Sequence, residues 1–358
     1  MRPRRVLACL AALIGGCLAA RAAPAPSLVI LDNDFNGPGG TNIQSVIPLL
    51  ASPSVKVLGF TVVTGDGWEN ASSAHLRRLL ELIGHTDVPV HDGAVYPLLN
   101  SPARVRAHQI LYGEMPWKGA WGRHGPITDA AMVQPPVGAM ADGTPTFAAD
   151  PEPAAMFLIR MVHAHPHQVT ILAAGPLTNL ALAARIDPEF ASLAKDFVMV
   201  GGLVDSNLVS VNGNPSFSDD FNMVFDPEAA HIVLTQNWPK ITVIAGVSGH
   251  VMLSRDDVAA IATAHPSPLT TYMARFYDPM PLWDEMAAAI VADPTLITKT
   301  QSLYMDVSTT EGMFYGRTRL WQKDYAPRDA GVRAVDYVEG VDDARFARAF
   351  RDAVAALK

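Results

Sequence analysis

LVILDNDFNGPGGTNIQ, from Leu28 to Gln44, holds an apolar run that stops at Asp32. A second carboxylate, Asp34, follows two residues later, and a loop of Gly37, Pro38, Gly39 and Gly40 leads to Thr41 and Asn42. An apolar-periodic segment begins there. A buried strand that ends in a polar loop before a helix has this form, and open α/β sheets bind ligands at the carboxyl ends of such strands. Residues two apart on an extended chain point the same way, so Asp32 and Asp34 are expected to share a face. Two nearby like charges favour a cation or a positively charged group between them.

Outward from that stretch, strand-like runs alternate with helical patterns. Strands are expected at Leu28–Leu31, Val55–Val63, Gln168–Ala173, Asp196–Val200 and Lys240–Ala245. Helices are expected at Asn70–Ile83, Glu152–His163, Pro176–Ile186, Pro227–Thr235 and Arg255–Ala264. The alternation predicts an α/β fold, Rossmann-like, with a mostly parallel central sheet flanked by helices. Residues 100–151 and 201–226 read as long irregular stretches, and such loops are usually functional or mobile. Near the end, Leu303–Thr309 and Met313–Leu320 read as a C-terminal hairpin, and Asp342–Leu357 as a closing helix.

The chain has 358 residues. Its first 23 read as a secretory signal: Arg2, Arg4 and Arg5 precede the apolar run Val6–Ala20, and small residues follow. That run is shorter than a membrane span requires. A lipoprotein cleavage at Cys17 is the minority alternative. Residues 24–358 then form a single domain, periplasmic or secreted. Both cysteines, Cys9 and Cys17, lie in the leader, so the mature chain offers no disulfide or thiolate chemistry. Without the leader arginines, 23 basic residues face 35 acidic ones, a net charge of −12. That balance argues against nucleic acid or an anionic membrane as partner. It suits a small neutral or cationic ligand and a metal ion.

Further motifs follow in order: VLGFTVVTGD (Val57–Asp66), TDVPVHDGA (Thr86–Ala94), AAGPLTNLALA (Ala173–Ala183), GNPSFSDDFN (Gly213–Asn222) with DPEAA after it, and YGRT (Tyr315–Thr318). Singly, their polar residues are those of a solvated loop. As an ordered set they resemble the nucleoside hydrolases, the calcium-dependent, inosine-uridine preferring N-ribohydrolases. The resemblance runs from about Val29 to the last helix. It implies that Asp34 ligates calcium and acts as general base toward the attacking water, with Asp32 supporting the site. It places a backbone carbonyl of Ala174 and the carboxylate of Asp284 on the ion. Asn214, Asp220 and Asn222 match the ribose-binding set, and Asp66 stands where a ribose-facing residue is found.

Two departures shape the expectation. The family opens its first helix with adjacent aspartates, and here Thr41 and Asn42 hold those places after three extra loop residues. Asn42 can ligate through its amide oxygen and Thr41 can meet the sugar, but one charge is lost, which predicts weaker calcium binding. The residue before Asp284 is Trp283, as in the purine-preferring subgroup, so Trp283 is expected to stack on the base. Trp117 and Trp121, in the long loop, are candidate opposing rings, and Trp68 is another. The expected activity is hydrolysis of ribonucleosides, purine ones first, to free base and ribose. A nucleoside- or ribose-binding protein on the same scaffold is the rival, as is a hydrolase of another ribosylated compound. The resemblance also implies a homodimer or homotetramer.

Overall fold

The computed structural model describes residues 25–202 and 220–357. Asn214 and the leader lie outside the described residues.

One nine-stranded sheet organises the chain, in the order β3-β2-β1-β4-β5-β6-β9-β7-β8. Strand β1 is Ser27–Asn33, β2 Val55–Val62, β3 Val90–His91, β4 Val169–Ala173, β5 Asp196–Val200 and β6 Ile241–Ile244. Strands β7 (Ile297–Val307), β8 (Thr318–Trp321) and β9 (Arg333–Val341) complete it. Pairing is parallel from β3 through β9, and antiparallel where β7 meets β9 and β8. The expected hairpin is β7–β8. Strand β9 was not expected from the sequence; it enters between β6 and the hairpin. Its alternating, half-exposed pattern gives a weaker apolar run than the central strands.

β1 is central, with β2 on one side and β4 on the other. Val29 to Asn33 are all buried, as strands covered on both faces must be. One apolar cluster, including Leu31, Val62, Leu172 and Phe346, lies on one face of the sheet. A second, including Ile30, Ile171, Phe197 and Trp238, lies on the other. The closing helix, Asp343–Ala356, seats Phe346, Phe350 and Val354 in the first cluster.

Residues 100–151 are more ordered than the sequence suggests. Ser101 caps a helix, Pro102–Tyr112, by accepting the Arg104 N–H. That helix buries only Pro102 and Val105, so its apolar period is faint. Val105, Trp121, Ile127, Ala131 and Phe225 form a small separate core beneath the segment. Helices Pro268–Phe276 and Trp283–Ala292 were also not expected. The second is buried almost all round, which erases the amphipathic signal.

Two buried acids tie the frame together. Asp226 accepts from Thr178 Oγ1 at 2.7 Å, from the Leu98 N–H at 2.9 Å and from the Ala229 N–H at 3.1 Å. Burial pushes its carboxyl up to about 6 despite these bonds. Glu69 opens the helix Glu69–Leu82; burial and the neighbouring Asp92 push it up to about 7. Both values exceed those of an unfolded chain, so the folded state holds more protons. The stability these groups contribute is complete below their unfolded values and is lost as pH rises through about 6 to 7. The contribution of these two groups to the melting temperature should therefore fall as pH rises from about 4 to about 7 and level off above that. Glu69→Gln should flatten that fall, as read by calorimetry across the range.

Candidate active site

The site is built at the carboxyl end of β1. Asp34 is fully buried one residue beyond the strand, with Gly65 against it: a Cβ at Gly65 would lie 2.1 Å from Asp34 Oδ2. Only a glycine admits that approach. The Asp66 N–H donates to Asp34 Oδ2 at 2.6 Å, and Asn42 Nδ2 donates to Oδ1 at 2.7 Å. Asn42 also reaches Asp284 Oδ2 at 3.4 Å. Trp117 Nε1 donates to Asp66 Oδ1. Asp34, Asp66 and Asp284 thus converge through Asn42 and one backbone amide.

Asp32 and Asp34 have separate partners. Thr61 Oγ1 and Asn179 Nδ2 donate to Asp32 Oδ2 at 2.6 and 2.8 Å. Its other oxygen is buried with no partner among the described residues. Burial pushes the Asp32 carboxyl up to about 7. Strand β1 ends at Asn33, one residue before Asp34.

Asn33, between them, is the joint that the sequence reading missed. Its Nδ2 donates to Asp284 Oδ2 at 3.1 Å, to the Asn42 carbonyl at 3.1 Å and to Ser45 Oγ at 3.2 Å. Its Oδ1 accepts the Asp34 N–H at 2.8 Å. Thr41 makes a second joint, accepting the Asp284 N–H at 2.9 Å and donating to Glu285 Oε2 at 2.5 Å. Glu285 is fully buried and pushed up to about 8, chiefly by burial. Asp34 and Asp284 are raised well above the carboxylate range. For Asp34 the causes are burial and then the charges of Asp66 and Asp284; for Asp284 they are burial and then Glu285. Asp66 is raised by burial, against the Trp117 and Asn42 bonds.

On the neighbouring strand ends, the Ala174 carbonyl accepts from Asn222 Nδ2 at 3.0 Å, and Asn222 also donates to the Val200 carbonyl at 3.2 Å. Asp220 caps the short helix Phe221–Phe225 by accepting the Asn222 N–H. Among the tryptophans, Trp283 is half-buried at the first turn of the helix carrying Asp284 and packs on the main core. Trp121 is buried, stacked on Phe225 with centroids 4.3 Å apart. Trp68 meets Tyr96 edge-on at 6.0 Å. Trp117 is half-buried beside His124 and Phe221.

A second group of metal-ligand type, His91, Asp150 and Glu152, brings ligand atoms within 4.8 Å of one another. His91 Nδ1 is hydrogen-bonded to the Glu152 carbonyl, and Arg160 holds the Glu152 carboxylate. The other ring nitrogen, His91 Nε2, is buried with no hydrogen-bond partner among the described residues.

Fold and site define an α/β enzyme whose acidic centre lies at the carboxyl edge of a parallel sheet. The family model described as inosine-uridine preferring nucleoside hydrolase matches residues 29–348. The chain belongs to that family and is a hydrolase acting on N-glycosyl compounds. A probable uridine nucleosidase of Arabidopsis thaliana is 31% identical over 70% of this chain and 68% of its own length. A solved plant nucleoside hydrolase superposes with a TM-score of 0.72 at 25% identity, covering 92% of this chain and 99% of its own. A purine-preferring ribonucleoside hydrolase from Gardnerella vaginalis shares the fold, with a TM-score of 0.70 at 22% identity over 92% and 98% of the two chains.

Asn33→Ala would strand the Asp284, Asn42 and Ser45 acceptors in a buried place. A loss of about 2–3 kcal/mol is expected, measurable by denaturant unfolding.

Proposed function

We propose that the chain hydrolyses the N-glycosidic bond of ribonucleosides, purine ones by preference, with Ca²⁺ as its resident ion. The reading is carried by one observation: Asp34 and Asp284 are buried together beside the half-buried Asp66, whose charge raises both, and among the described residues no lysine or arginine is hydrogen-bonded to Asp34 or Asp284. Such a cluster suits a cation. The donors are hard oxygens: carboxylates of Asp34 and Asp284, the Asn42 amide turned about its last bond, and the Ala174 carbonyl. That carbonyl keeps a second lone pair beside the Asn222 bond. A calcium ion fits this set, and no histidine or thiol is among these donors.

Bound Ca²⁺ would supply the charge that acidifies a water and holds two sugar hydroxyls. Asp34 takes the proton of the attacking water. The water oxygen bonds to the anomeric carbon as the carbon–nitrogen bond breaks, and its electrons leave with the base. The surrounding acids stabilise the positive charge that develops on the sugar ring. Asp220 and Asn222, with Thr41 and Asp66 opposite, are assigned to the sugar. The half-buried Trp283 ring, beside Asp284, is assigned to a purine, with Trp117 facing it. The purine-preferring name of one structural neighbour supports that choice; the uridine nucleosidase name of a relative opposes it.

Reducing-sugar release separates these readings. Inosine should be cleaved faster than uridine in Ca²⁺, and chelator should stop both. Nucleoside binding without release at saturating Ca²⁺ would instead mark a binding protein. Asp34→Asn should lower turnover by roughly a thousandfold while the protein still melts cooperatively. Asn42→Asp should tighten Ca²⁺ roughly tenfold by titration calorimetry, since it adds a ligand charge.

We also propose export. No helix among the described residues is long and apolar enough to cross a membrane. N-terminal sequencing of the purified protein should begin near Pro24.

A further inference from the structure

We propose that the segment Trp117–Arg123 is a strap that fixes the orientation of Asp66, and that Trp117 acts as a positioning residue through its indole N–H. The inference rests on the proposed function only in assigning Asp66 to the sugar site. Trp117 Nε1 donates to Asp66 Oδ1, while the Asp66 N–H donates to Asp34 Oδ2 at 2.6 Å. One residue is therefore held at both ends, by the strap and by the acid of the catalytic centre. The strap is anchored independently: the Ala120 N–H donates to the Gly65 carbonyl at 2.8 Å. Its own turn is closed by Lys118 N–H to the Arg123 carbonyl at 3.0 Å and Arg123 N–H to the Gly119 carbonyl at 2.9 Å. Arg123 brings its guanidinium near the Asp66 carboxylate from the far end of the same turn.

Gly119 makes the docking feasible. Its φ is +52°, and a Cβ there would meet the Gly65 carbonyl oxygen at 2.3 Å and the Phe221 ring at 2.4 Å. Any side chain at 119 forces the strap away from Gly65 and withdraws the indole from Asp66. A base-stacking tryptophan needs only its face. Here the edge is committed to a carboxylate, so the N–H selects tryptophan over phenylalanine or tyrosine at this position.

The test pairs Trp117→Phe, which keeps a ring and removes the donor, with Gly119→Val, which keeps the indole and lifts the strap. Each should raise KM for inosine by roughly tenfold or more while kcat changes less than about threefold. In the background of Asp66→Ala, Trp117→Phe should add nothing. Additive losses, or an unchanged KM in both folded variants, would overturn the proposal. A readout free of turnover is the ultraviolet Raman band sensitive to indole N–H hydrogen bonding. The wild-type minus Trp117→Phe difference should show a strongly bonded indole that weakens in Asp66→Ala. A free indole there overturns the strap even if nucleosides are cleaved. A bonded indole without cleavage upholds the strap and removes the proposed reaction.

Discussion

Burying several carboxyls in one place is the constraint around which this molecule is arranged. Asp34, Asp66 and Asp284 come from three separate segments; Asp34 and Asp284 are removed from water and Asp66 is half-buried. Desolvation and mutual repulsion both oppose their charge. The protein answers with neutral donors instead of lysines or arginines at Asp34 and Asp284. Asn33, Asn42 and a backbone N–H orient the oxygens without neutralising them. A cluster so held stays available to an external cation, whereas one salt-bridged internally would not.

Much of this was legible in the sequence. The end of β1, the five central strands and most flanking helices follow from apolar runs and periodicity, because buried parallel strands leave a strong signal. Asp34, Asn42, Asp66 and Asp284 are brought together, as the ordered motifs imply. What could not be read is the wiring between them. Asn33 looks like an ordinary spacer between two aspartates, yet it contacts Asp284, 251 residues away. Glu285 belongs to none of the motifs, yet it is buried in the first turn of its helix against Thr41. Nothing local encodes contacts at that separation, though the contiguous Asp-Asn-Asp, with an amide between two acids, offered a hint.

The long segment 100–151 shows the opposite failure. Its glycines and prolines suggest little structure, but a capped helix and a five-residue apolar core hold it in place. Trp121 is spent on that core, stacked on Phe225, while Trp117 four residues earlier turns its edge to Asp66. Two tryptophans that look equivalent in the sequence therefore have different neighbours, and packing geometry alone separates them.

The placement of β9 bears on how the chain matures. It is the last strand to leave the ribosome, yet it sits between β6 and the β7–β8 hairpin. Until it arrives, β6 is a bare edge and the hairpin has nothing to join. Final closure thus waits for contacts between distant parts of the polypeptide, an arrangement that slows acquisition of the native state.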